Sequence, residues 1–186
     1  MIKGLYDFCS HWSAHGSVWL YSDPHFDDED LPLMIPGWLG SQEQVDSINK
    51  YAFKNDYLVF LGDIGNPEWL RKLKCQNLIA VLGNHDRGAS YYSDYFESVY
   101  DGPLFISDRI LLSHEPIDDT PFCFNFHGHT HCQGNKDDKH MNLCADVIGY
   151  KPVSLGAVIK SGALSKIPKI HRLAIERQRY EKTSSY

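Results

Sequence analysis

The residues of this 186-residue chain best suited to chemistry are Asp, His and Asn side chains that stand where apolar runs stop. Asp23 and His25 are separated by one residue, as are His129 and His131. In an extended segment that spacing turns both side chains to one face, so each pair can offer two ligands to an ion. Asp63 follows Gly62, Asn84 follows Gly83 and His129 follows Gly128, and a glycine before a ligand permits unusual backbone angles and close approach. His114 closes a further apolar run. Carboxylates and imidazoles together suit Mn, Fe or Zn, and the near absence of Cys from the set speaks against a closed structural zinc site. Taken singly, Asp23 and His25 are ordinary loop residues and His114 an ordinary strand-end histidine. The joint pattern is what points to a metal.

The elements that must position these groups are short strands. Val18–Tyr21, Tyr57–Leu61 and Asn77–Leu82 are runs of four to six residues rich in Val, Ile, Leu, Phe and Tyr, and read as buried strands rather than helices. Further strands are expected at Leu104–Ile106 and Arg109–Ser113, a hairpin turning at Ser107-Asp108, and at Phe122–His127. A last strand pair is expected over Met141–Ile148 and Val153–Ser154. Ser41-Gln42-Glu43-Gln44 reads as a capping box before the helical apolar positions Val45, Ile48 and Ala52, and a second helix is expected from Pro67 to Lys74. Strands alternate with helices in the first half and follow one another in the second. That order argues for an α/β fold with a mixed sheet or two stacked sheets.

Composition sets wider limits. Hydrophobic residues at 42% and charged residues at 23% are those of a globular chain long enough to bury a core without disulfides. The expectation is a single domain over residues 1–186, with no membrane span and no secretory signal, in the cytoplasm. The cysteines (Cys9, Cys75, Cys123, Cys132 and Cys144) are odd in number and widely spaced, as free thiols would be. Net charge is -6, yet Lys160, Lys166, Lys169, Arg172, Arg177, Arg179 and Lys182 outnumber Glu176 and Glu181 near the C-terminus. The basic tail, about residues 168–186, is either a solvated surface or a contact for a polyanion.

With those residues in view, the sequence resembles the calcineurin-like metallophosphoesterases. The resemblance rests on Asp23-x-His25, Gly62-Asp63, Gly83-Asn84-His85-Asp86, His114 and Gly128-His129-x-His131, five motifs in the family's order, and on the stretch Asp146 to Leu155, similar to the ending of small single-domain bacterial and phage members. It implies a four-layer α-β-β-α sandwich with two mixed β-sheets and a site for two divalent metal ions, manganese first, with Fe, Zn or Ni as alternatives. One ion would take Asp23, His25, Asp63 and His131, the other Asp63, Asn84, His114 and His129, with Asp63 shared. The implied activity is hydrolysis of a phosphate ester, a diester first, by a hydroxide bridging the metals, with His85 as the catalytic group beside the leaving oxygen and Asp86 orienting it. The substrate would be a phosphate ester such as a nucleotide or nucleic acid. The rival readings are a nuclease and a non-catalytic metal-binding scaffold.

Two positions depart from the family's pattern: Ile64-Gly65-Asn66-Pro67 follows the bridging aspartate where relatives often carry another acid, and Pro24 sits between Asp23 and His25. His127, in alternation with His129 and His131, is expected to support the site or the fold rather than bind metal. Arg87 is weighed between a substrate contact and a surface ion pair, and Tyr91-Tyr92 between packing and the pocket wall.

Overall fold

The structure is a computed structural model that describes residues 17–168, so the leading residues and the basic tail from 169 onward lie outside the described part. The elements follow in the order β1 (Val18–Tyr21), α1 (Leu31–Met34), α2 (Ser41–Ile48), β2 (Tyr57–Leu61), a 3₁₀ helix (Pro67–Lys72), β3 (Asn77–Val81), α3 (Ala89–Tyr92) and β4 (Ser98–Tyr100). Then come β5 (Leu104–Ser107), β6 (Ile110–Leu112), β7 (Phe124–His127), β8 (His140–Asn142), β9 (Val153–Ser154), α4 (Leu155–Lys160) and a 3₁₀ helix at Ala163–Lys166.

Two mixed sheets result. The first runs β4-β3-β2-β1-β9, parallel except for β9, and the second runs β5-β6-β7-β8, parallel except for the β5/β6 hairpin. Strand alternation divides the apolar residues between two cores. Leu20, Val59, Leu61 and Val81 of the first sheet meet Leu104, Leu112, Phe124 and Phe126 of the second, and both sets are buried. The intervening residues Leu58, Phe60 and Ala80 face the other way, against Val45 and Ile48 of α2 and against Leu70, Tyr92 and Phe96. Because both faces of β1 to β3 are covered, these strands read as continuous apolar runs. The outer face of the second sheet is overlain by the loop after His114, pinned where the Ile117 N–H donates to Asn125 Oδ1 at 2.9 Å. The expected α/β sandwich of two mixed sheets is therefore the fold.

Several local expectations shift. The expected pair over Met141–Ile148 and Val153–Ser154 does not form. β8 instead joins β7 in the second sheet, and β9 runs antiparallel to β1 in the first. The chain between them crosses from one sheet to the other: Leu143 donates to the His127 carbonyl, its own carbonyl accepts from Ser22, and Ala145 donates to the Ser22 carbonyl. Side chains pull Asn142 out of further pairing, its amide donating to the Thr130 and Gln133 carbonyls. The α2 cap sits one residue early, on Gly40, whose N–H donates to Glu43 at 3.0 Å, while the Ser41 hydroxyl accepts from the Asp27 N–H. The helix after Asn66 is 3₁₀ and ends at Lys72. The β5/β6 turn lies at Asp108-Arg109, one residue later than expected.

Candidate metal centre

The expected ligands stand just beyond the carboxyl ends of parallel strands, where α/β sheets place their sites. Asp23 and His25 follow β1, Asp63 follows β2, Asn84 and His85 follow β3, His114 follows β6, and His129 and His131 follow β7. Both sheets thus contribute. Asp23, His25, Asp63 and His129 hold left-handed backbone at φ of 54°, 43°, 51° and 67°. Non-glycine residues rarely adopt that conformation, and it costs of order 1–3 kcal/mol apiece, a strain that collects at functional sites.

Gly83 and Gly128 are needed for space. A Cβ on Gly83 would collide with Asp63 Oδ1, and one on Gly128 with Asp23 Oδ2 and Ser22 Oγ. The two carboxylates are packed against bare backbone.

Ligand atoms converge in overlapping groups. Asp23, His25 and Asp63 form one, Asp63, His114 and His129 a second, and Asp23, His131 and Cys144 a third, with the atoms of each group within 4.8 Å of one another. Asp63 Oδ2 lies 3.5 Å from His25 Nε2 and 3.4 Å from His114 Nε2. Asn84 Oδ1 is 2.8 Å from His114 Nε2 and 3.0 Å from His129 Nδ1. His131 Nε2 lies 3.4 Å from Asp23 Oδ1. All seven expected ligands are thus brought to one place, with Asp63 common to two groups.

The donor set fits divalent ions. Asp23 and Asp63 are 0% and 3% exposed, and among the described residues neither pairs with a Lys or Arg. Buried carboxylates without a cation are costly. His131 Nε2 is buried and has no hydrogen-bond partner among the described residues, although its Nδ1 lies 2.8 Å from Asp146 Oδ1. His114 is held similarly, Nδ1 against the Leu61 carbonyl at 2.8 Å. Such outer partners fix a ring so that its other nitrogen faces an ion.

The histidines also carry the charge that the carboxylates demand. Burial pulls the His114 pKa down, but Asp63 and Asp23 overcome it and raise the value to about 9. Burial likewise opposes His131, whose contacts with Asp146 and Asp23 raise it to about 10. Burial pushes Asp63 upward, yet hydrogen bonding and charge from His114 leave it below the usual carboxylate value. His25 is lowered, chiefly by burial.

No family model matches the chain. An uncharacterized protein of Methanocaldococcus jannaschii is 28% identical over 171 residues, covering 77% of this chain and 89% of that protein. A crystal structure of a protein of unknown function from Aquifex aeolicus superposes with a TM-score of 0.67 at 25% identity, over 77% of this chain and 98% of the other. The nuclease MPE of Pseudomonas putida aligns over 61% of each chain with a TM-score of 0.44 and 20% identity, a likeness too slight to speak to function.

Around the ligands, His85 is exposed at the mouth, its ring centroid 5.9 Å from that of His25, while its N–H donates to Asp63 Oδ1 at 3.0 Å. The Asp86 carboxylate accepts from the N–H groups of Asp63, Ile64 and Gly83, each at 2.8 Å, and from the Tyr92 hydroxyl at 2.9 Å. None of these partners is the His85 ring. Asp86 ties the loop after β2 to the loop after β3, and Tyr92 supports it from the core. Arg87 lies over the Tyr91 ring at 4.5 Å. His127 is buried on the outer face of the second sheet, Nδ1 2.9 Å from the Gly128 carbonyl, and belongs to none of the ligand groups.

Three supporting residues were not singled out from sequence. Asp146 accepts from the Cys132 N–H at 2.7 Å as well as facing His131. The Cys144 thiol donates to Asp23 Oδ2 at 3.3 Å. Trp38 sets its ring against His25, His131 and Tyr150, with centroids 6.3, 5.9 and 5.8 Å away. Asp146 alone had a signal, its place in the stretch that resembles the ending of small phosphoesterases.

Proposed function

We propose that the protein is a hydrolase of phosphate esters dependent on two divalent metal ions, a single phosphoesterase domain acting first on diesters. The observation that carries this reading is the pair of buried carboxylates, without a Lys or Arg partner among the described residues and ringed by four histidines and Asn84, with Asp63 shared between two ligand groups. Asp23, His25, Asp63 and His131 would hold one ion, and Asp63, Asn84, His114 and His129 the other. Manganese is the first candidate, because oxygen and imidazole donors suit it and burial pushes the pKa of the nearby Cys144 thiol up, away from the thiolate that a softer metal takes. Bound there, the ions supply Lewis-acid polarisation of the phosphoryl group and water activation at neutral pH.

The chain's own residues supply orientation and a proton. His85 stands at the exposed mouth with its backbone anchored on Asp63, and there it would protonate a leaving oxygen. Asp86 holds the two loops in register. Trp38 forms one wall of the site.

The test uses metal-free protein reconstituted separately with Mn, Fe(II), Zn, Ni or Mg and assayed on bis(p-nitrophenyl) phosphate and p-nitrophenyl phosphate. Metal-dependent turnover of the diester, reduced about 10²–10⁴-fold by His85→Ala at unchanged metal content, is the expected result. Preference for the monoester would make the protein a phosphatase. Two bound metals with no turnover of either ester would leave the scaffold reading in its place.

A further inference from the structure

Asp23 is 0% exposed, and its two carboxylate oxygens have different surroundings. Oδ1 faces ring nitrogens, with His131 Nε2 at 3.4 Å and His25 Nε2 at 4.0 Å. Oδ2 faces donors. The Ser22 hydroxyl and the Cys144 thiol both donate to it, the thiol at 3.3 Å, and the His129 N–H reaches it at 3.0 Å against 3.1 Å to Oδ1. The Gly128 backbone also closes on Oδ2, so tightly that a Cβ there would collide with it.

The seam between the sheets produces this arrangement. Ser22 follows β1 and pairs in parallel with Cys144 of the crossing segment, the Ser22 N–H donating to the Leu143 carbonyl at 3.1 Å and the Ala145 N–H to the Ser22 carbonyl at 2.9 Å. Residues opposite one another across such a pair turn their side chains to one face. Here both side chains end on the same carboxylate oxygen. The Ser22 hydroxyl has one proton and two neighbours, Asp23 Oδ2 and the Leu61 carbonyl, and that carbonyl is already served by His114 Nδ1 at 2.8 Å. Cys144 is held in turn, its N–H donating to Asn142 Oδ1 at 3.0 Å.

A thiol beside a carboxylate and an imidazole could itself be a ligand, and Asp23, His131 and Cys144 lie close enough to share one ion. The two sides of the carboxylate decide between the roles. The imidazoles approach Oδ1 and the sulfur approaches Oδ2, which makes the thiol a donor to the far oxygen.

We propose that Cys144 is a positioning residue of the candidate metal centre, whose thiol, together with the Ser22 hydroxyl and the His129 N–H, keeps Oδ2 of Asp23 occupied and leaves Oδ1 as the single oxygen offered to an ion. The inference rests on the metal reading of the site. A carboxylate so restrained takes one coordination position rather than two, which favours a centre with a position open to water or substrate.

The full-length native chain and its Cys144→Ala, Cys144→Val and Cys144→Ser variants, all stripped of metal, are titrated with Mn(II) and with Co(II) in competition with a chelating dye, and the Co(II) absorption spectra are recorded. Cys144→Ala and Cys144→Val bracket the thiol in size and lack the donor. Both should bind metal about tenfold more weakly, at the lower end of what the outer partners of a ligand contribute, because a thiol is a weak donor. Cys144→Ser keeps a proton on the same side of the carboxylate and should regain most of that affinity. The Co(II) spectrum of the native chain should lack the sulfur-to-metal charge-transfer band in the near ultraviolet that a thiolate ligand gives. Equal losses in all three variants would reduce Cys144 to a packing role, and unchanged affinity in Cys144→Ala and Cys144→Val would leave it no role; either overturns the proposal. A charge-transfer band that vanishes in Cys144→Ser would overturn it too, by making Cys144 a ligand. A native chain that binds neither ion would overturn it together with the metal reading, whereas hydrolysis of bis(p-nitrophenyl) phosphate reports on the phosphoesterase reading separately.

Discussion

Asp63 occupies the crowded centre of the candidate metal site: its carboxylate serves two ligand groups, its backbone is left-handed, and the Asp86 carboxylate grips its N–H. Asp63→Asn should therefore lower bound metal by at least one equivalent, measured by atomic emission on dialysed protein, while His85→Ala leaves metal content unchanged. Asp146 offers a subtler test. Its carboxylate holds Nδ1 of His131, and a partner of that kind sustains metal affinity. Asp146→Asn should weaken metal binding by about 10–100-fold, seen in competition with a chelating dye, with little change in fold by circular dichroism. The seven candidate ligands could be picked out from sequence because each lies within a few residues of the end of an apolar run. Asp146 could not be assigned a role, since it acts from a crossing segment whose course depends on how two sheets meet. The partners of Asp86 were hidden for the same reason: His85 is its neighbour in sequence, but Asp63, Ile64 and Tyr92 are its neighbours in space.

Strands proved more legible than the chain that joins them. β1 and β2 begin and end where their apolar runs do, because burial on both faces leaves no polar residue inside the run. β4 gave no such signal, its residues Ser98, Val99 and Tyr100 being only partly buried at the sheet edge. Met141–Ile148 misled because its apolar residues serve different neighbours: Leu143 lies in the core between the sheets and Ala145 in the helical core. The loops depend on polar and steric contacts that single substitutions can remove. Asp86→Ala leaves three backbone N–H groups without their acceptor and should destabilise the protein by about 1–3 kcal/mol in urea unfolding. Gly128→Ala drives a methyl group into Ser22 and Asp23 and should cost about 1–3 kcal/mol, together with a loss of metal affinity.

Across the molecule, proton uptake would draw on the same groups as metal uptake at the candidate site. His114 and His131, raised to about 9 and about 10, keep protons that an unfolded histidine gives up near pH 6.5. Between those limits the folded chain binds more protons than the unfolded one, so stability of the metal-free protein should fall as pH rises from about 6.5 to 10. Denaturant midpoints measured at intervals across that window, with chelator and with manganese, would show the decline only in the chelated sample. A flat chelated profile would contradict the protonated state of these two rings. Among the described residues no helix is long and apolar enough to cross a membrane. The candidate ligands issue from both sheets, Asp23, His25, Asp63 and Asn84 from the first and His114, His129 and His131 from the second. Ions held there would rivet the two halves of the sandwich, making the site a mechanical fastener as well as a chemical centre. Metal removal should then open the structure from that edge first, speeding hydrogen exchange at the Ser22, Leu143 and Ala145 amides that stitch the sheets together while the strand interiors of β2 and β3 stay protected.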